Sequence, residues 1–167
     1  MIESLGLEAC ADTLIGPMIR KGELKRISIG YELVTNPSLV LLDEPTSGLD
    51  SISAFNIAKL LKKESRRGLT IIATIHTPSA ETFLQFDRCI LLAEGFTIYN
   101  GSPHMIREYF EQKGFEFKKY MNLADWLLKV AMNTQTLCPK QSIEKLAISC
   151  HEQYQIDVKK EEGFFEM

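Results

Sequence analysis

Residues 38–51, SLVLLDEPTSGLDS, constrain the fold more than any other stretch of the chain. Ser38 to Leu42 show no polar alternation, the pattern of a strand buried on both faces in a parallel sheet. The run ends in two adjacent carboxylates, Asp43 and Glu44. Pro45 stops it, because proline has no N–H to donate and fixes its own φ. Acids at the carboxyl end of such a strand sit where open α/β sheets bind ligands. Asp43 offers the oxygen ligand that Mg²⁺ takes beside waters and phosphates. Glu44, one residue on, points elsewhere and is free to polarise a water.

The flanking text supplies the other layers. Ile27, Tyr31 and Val34 fall at i, i+4 and i+7, which predicts a helix with one apolar face, ended by Asn36-Pro37. Asp50 or Ser51 is placed to cap a second helix, with Ser53, Asn56, Lys59 and Lys63 as its polar stripe and Gly68 at its end. Thr70 to Ile75 read as a second buried strand, delivering His76 to its carboxyl end before Thr77-Pro78. Cys89–Ala93 and Phe96–Tyr99 read as a hairpin about Glu94-Gly95. Ser102 and Pro103 are expected to open a helix that Gly114 closes. Asn122 is expected to cap the next one, with Tyr109, Phe110 and Trp126 as packing residues. Ile143 to Cys150 fit one more helix, and residues 158–167 read as a frayed end or linker.

LLDEPTSGLDS resembles the Walker B and D-loop motifs of ATP-binding cassette (ABC) ATPases. YNGSPHMIREYFEQKGFEF followed by NLADWLL is similar to the G subfamily, the white-type half transporters. The resemblance covers roughly residues 4 to 132. It implies an α/β fold of the P-loop NTPase (RecA-like) type, a parallel sheet with flanking helices, incomplete because the P-loop strand is absent. It implies residues 1–133 as the C-terminal part of a nucleotide-binding domain and 134–167 as a partly disordered linker toward a membrane domain absent here. It implies ATP and Mg²⁺ as cofactors, with Asp43 supporting Mg²⁺, Glu44 as general base and His76 as the switch histidine at the γ-phosphate. Ser47, Gly48, Leu49 and Asp50 would form the D-loop against a second cassette. Gly22 and Glu23 would be the remainder of a shortened, degenerate signature motif contacting ATP in trans. The family places Ser-Gly-Gly before Glu-x-Lys-Arg, where this chain has Arg20 and Lys21 before Gly22. Small residues there let backbone N–H groups at a helix N-terminus approach a phosphate.

Composition narrows the alternatives. The chain has 167 residues, 45% hydrophobic and 25% charged, ordinary for a globular domain. A net charge of −3 gives no reason to expect nucleic acid as a partner. Lys62, Lys63, Arg66 and Arg67 read as a solvated helix end. No apolar run reaches the ~18 residues of a membrane span, so the chain alone is expected in the cytoplasm although the family works at a membrane. Cys138, Cys150 and His151 lack the spacing of known zinc sites. There is no GxxxxGK[ST] sequence, whose loop and Lys cradle phosphates. Two functions therefore stay open: an ATP-hydrolysing cassette of a transmembrane transporter, or a non-catalytic dimerisation module.

Overall fold

The computed structural model describes residues 2–118, 120–132 and 143–165. The chain forms two compact units, Met1–Gln85 and Phe86–Met167.

In the first unit, α1 (Ile2–Leu5) precedes α2 (Lys21–Leu33). Strand β1 (Leu39–Leu42) is followed by α3 (Ser51–Ser65), β2 (Thr70–Ala73) and the single turn α4 (Ala80–Phe83). β1 and β2 pair in parallel, Leu39 opposite Thr70 through Leu42 opposite Ala73. A helix between two parallel strands is the crossover such pairing needs. The core is aliphatic: Leu5, Leu7, Ile29, Ile57, Leu60 and Leu61, with Leu42, Leu49 and Ile71 packed against it. Ile57, Ala58, Leu60 and Leu61 form the buried face of α3, and Asn56, Lys59 and Lys63 its exposed one, as expected.

Two expectations change here. The strand 38–42 is not buried on both faces. Val40 faces the core, but Leu41 is 68% exposed, and Ile72 beside it 57%. The reason is a single covering layer: in this unit the helices pack one side of the pair. The apolar face of α2 also differs from Ile27–Tyr31–Val34. Tyr31 and Val34 are exposed, whereas Ile29 and Gly30 are buried. Gly30 sets the rotation, because a Cβ there would lie 2.5 Å from Leu5 Cδ1. A side chain there would have to displace the end of Leu5.

The second unit opens with a hairpin, β3 (Cys89–Ala93) and β4 (Phe96–Gly101), antiparallel with a bulge at Leu91/Leu92. Glu94 (φ 49°) and Gly95 (φ 84°) both adopt left-handed backbone. Two such residues define the type I′ turn whose twist suits a two-residue hairpin. Helices α5 (Ile106–Gln112), α6 (Leu123–Met132) and α7 (Ile143–Phe165) follow. Phe110 lies at the centre of an aromatic core, edge-on to Tyr109, Phe115 and Trp126. Asn122 caps α6 through Ala124 N–H (2.9 Å), as expected. Ser102 does not cap α5, which starts at Ile106 with Met105 before it. Its hydroxyl accepts His104 N–H instead, in a turn ahead of the helix. Residues 158–165, read as frayed, continue α7; Lys159, Lys160, Glu161 and Glu162 are good helix formers. Cys138 and residues 134–142 of the expected linker lie outside the described residues.

Candidate functional site

The carboxyl ends of β1 and β2 open into a cleft of about 310 Å³ lined by Glu44, Thr46, Ser47, Gly48, Leu49, Ser51, Ala54, His76, Thr77, Pro78, Ser79 and Thr82. It lies wholly within the first unit. Parallel strands direct their C-terminal loops to one edge, which brings Glu44 and His76 together across 32 positions of sequence.

Glu44 adopts φ 44° and Thr77 φ 46°. Left-handed backbone at a non-glycine residue costs about 1–3 kcal/mol and persists only where the surroundings impose it. At Glu44 the imposing bonds are present. Its N–H donates to Thr74 Oγ1 (2.9 Å) and its carbonyl accepts from Lys25 Nζ (3.1 Å). Thr74 in turn donates its hydroxyl to Asp43 Oδ1 (2.6 Å).

The segment after Glu44 is a tight turn. Ser47 N–H donates to the Glu44 carbonyl (3.1 Å), and Gly48 adopts φ 72°. Leu49 packs toward the aliphatic core and so anchors the turn. Asp50 then caps α3. It accepts from Ile52 N–H (3.1 Å), Ser53 N–H (3.0 Å) and the Ser53 hydroxyl (2.7 Å). The Ser53 bonds hold its carboxyl below the ordinary 3.8. Ser79 caps α4 in the same way, accepting Thr82 N–H (3.2 Å).

Of the residues singled out in the sequence, Glu44, His76, Ser47, Gly48 and Leu49 line the cleft. Asp43 is exposed beside it, joined to Glu44 through Thr74. Asp50 is engaged by α3. Gly22 and Glu23 do not line the cleft but begin α2. There Glu23 Oε2 accepts Arg20 N–H (2.9 Å), half of a capping box, since an arginine side chain cannot accept in return. A Cβ on Gly22 would touch Ser53 Oγ at 3.5 Å, which is ordinary contact. Sequence reasoning missed Thr74, Lys25 and Thr77. The signal for Thr74 was the strand register, which carried one step further sets it opposite Asp43.

No protein-family profile matches the chain. Its structure is similar to the ADP conformation of an ATP-binding cassette of an ABC transporter, with a TM-score of 0.59 at 23% identity over 68% of this chain and 44% of that one. That likeness defines the class, a P-loop NTPase-type fold as in ABC ATPase domains. Among curated proteins the chain is 43% identical over 141 residues to ABC transporter G family member 1 of Dictyostelium discoideum, covering 81% of this chain and 18% of that protein. It is also 43% identical over 149 residues to ABC transporter G family member 14 of Arabidopsis thaliana, covering 87% and 23%. The chain belongs to the G family of ABC transporters, in the region of their ATP-binding cassette. It spans about a fifth of the length of the curated relatives it matches. Among the described residues no helix is long and apolar enough to cross a membrane.

Proposed function

We propose that this chain contributes the hydrolytic edge of a transporter's ATP-binding cassette, with Glu44 as general base. The observation that carries the reading is the pairing of Glu44 and His76 in one cleft at the ends of two parallel strands. The donor set suits a hard cation, because Asp43 is an exposed carboxylate already oriented by a hydrogen bond. Asp43 would hold Mg²⁺, and bound Mg²⁺·ATP would supply the phosphoryl group and the charge that neutralises it. The carboxylate of Glu44 takes a proton from water, which is the work of a general base. His76, exposed on the same cleft, orients that water and the terminal phosphate. The turn Ser47–Asp50, stiffened by Leu49 and by the cap on α3, is the surface offered to a second cassette. Gly22 and Glu23 belong to the contact with a nucleotide held by that partner. Residues 134–167 lead toward a membrane domain, and the coupled process is transport of a substrate.

The test is a cassette in which this chain follows the P-loop-bearing segment of a G-family relative. Glu44→Gln should lower turnover by about 10²–10⁴-fold while ATP stays bound. Asp43→Asn should weaken Mg²⁺·ATP binding itself. His76→Ala should follow Glu44→Gln. Turnover unaffected by Glu44→Gln would remove Glu44 from the role of base.

A further inference from the structure

The hydroxyl of Thr74 sits between the two acids on which the proposed chemistry depends. The register of the parallel pair puts Leu42 opposite Ala73, and the Thr74 N–H donates to the Leu42 carbonyl at 3.0 Å. Thr74 is therefore the cross-strand neighbour of Asp43, fixed by the ladder. A hydroxyl has one proton to donate and lone pairs to accept with. Here the proton goes to Asp43 Oδ1 at 2.6 Å, a short bond of the kind ionised acceptors make. A lone pair takes the Glu44 N–H at 2.9 Å. Both capacities are spent on consecutive residues of the opposite strand exit. Glu44 opens the turn after β1, and its φ of 44° is held against the cost of left-handed backbone by the bonds to Thr74 and from Lys25.

We propose that Thr74 is a positioning residue of this cleft: its hydroxyl holds the Asp43 carboxylate in place for a divalent cation and holds the Glu44 peptide in its left-handed conformation. The cation half rests on the assignment of Asp43 given above; the Glu44 half does not. Hydrogen-bond partners of a ligating carboxylate typically change metal affinity by about 10–100-fold when removed. A β-branched residue suits the strand, so Thr74→Val keeps the shape and propensity and removes only the hydroxyl. Thr74→Ser keeps the hydroxyl and removes the methyl group.

The experiment uses the full chain, ¹⁵N-labelled, with Mn²⁺ as the cation probe. Thr74→Val should speed amide exchange at Glu44 by about fivefold, the worth of one ordinary hydrogen bond, and leave Ile57 in α3 unchanged. It should also weaken Mn²⁺ broadening around Asp43 about tenfold. Thr74→Ser should restore both. Thr74→Ala replaces Thr74→Val should the α3 amides show that the valine chain has not folded. An unchanged Glu44 amide in both hydroxyl-free variants overturns the proposal. So does Mn²⁺ binding that is lost in Asp43→Asn but untouched in Thr74→Val. Broadening indifferent to Asp43→Asn overturns the assignment of Asp43 instead, and the amide arm still decides what Thr74 does for Glu44.

Discussion

The two strand pairs use the same backbone device for different ends. The hairpin β3–β4 turns on two left-handed residues, Glu94 and Gly95, and turn geometry alone accounts for both. The parallel pair ends in left-handed Glu44 and Thr77, and no hairpin asks for either. At Glu44, side chains from β2's end and from α2 supply the constraint. The cores differ as well. The second unit packs interlocking aromatic rings, Phe110 and Trp126 among them, whereas the first packs aliphatic side chains on one face of its sheet. The two units are thus built on different cores, and two of the left-handed non-glycine residues, Glu44 and Thr77, line the cleft of the first.

The largest test of that contrast is Phe110→Ala. Phe110 is fully buried and neighbours four other rings, so its loss should cost about 3–5 kcal/mol in denaturant unfolding of the second unit. A cost under about 1 kcal/mol would mean the ring cluster is not what holds that unit together.

Next comes the close approach of α1 to α2. Gly30→Ala puts a methyl group into Leu5, and overpacking of this kind costs about 1–3 kcal/mol. Leu5→Ala in the same chain should recover part of the loss, because it vacates the contested space. The double variant measured against each single one reads the coupling directly.

Smaller again is a matched pair. Gly95 and Gly48 both have positive φ, and an added Cβ meets nothing within 4 Å at either. Alanine at each should therefore cost about 1–2 kcal/mol from backbone conformation alone. A much larger loss at Gly48 than at Gly95 would show that the turn after Glu44 carries strain beyond its own dihedral angles.

The mildest expectation concerns pH. Bonds from Ser53 hold Asp50 below its ordinary 3.8 in the folded chain, so the unfolded chain binds the proton more readily. The cap's contribution is then complete above that ordinary range and is lost as pH falls through the lower folded value. Thermal unfolding followed on acidification should lose this slope in Asp50→Asn, which still accepts the backbone N–H groups but does not titrate. By contrast, burial pushes the Cys89 thiol up to about 11, so at pH 8 iodoacetamide should modify it far more slowly in the folded chain than in the unfolded one.

What the sequence revealed follows from the range of each interaction. SLVLLDEPTSGLD combines strand, stop, acids and cap within thirteen residues, so β1, the cleft turn and the Asp50 cap were all legible. The Glu94-Gly95 hairpin and the Asn122 cap were legible for the same reason. The rotation of α2 was not, because it depends on Leu5 meeting Gly30 from another helix. The open face at Leu41 and Ile72 was not, because an apolar run says a side chain is greasy and not whether anything covers it. Thr74 was missed because its importance comes from a partner 31 positions away.

Trp126 gives the chain an optical consequence. It is the sole tryptophan in the sequence, buried in the second unit, and its indole N–H donates to the Glu116 carbonyl at 3.1 Å. Intrinsic fluorescence excited at the indole band therefore reports the packing around α6. Emission from the wild-type chain is therefore a gauge of that unit's integrity.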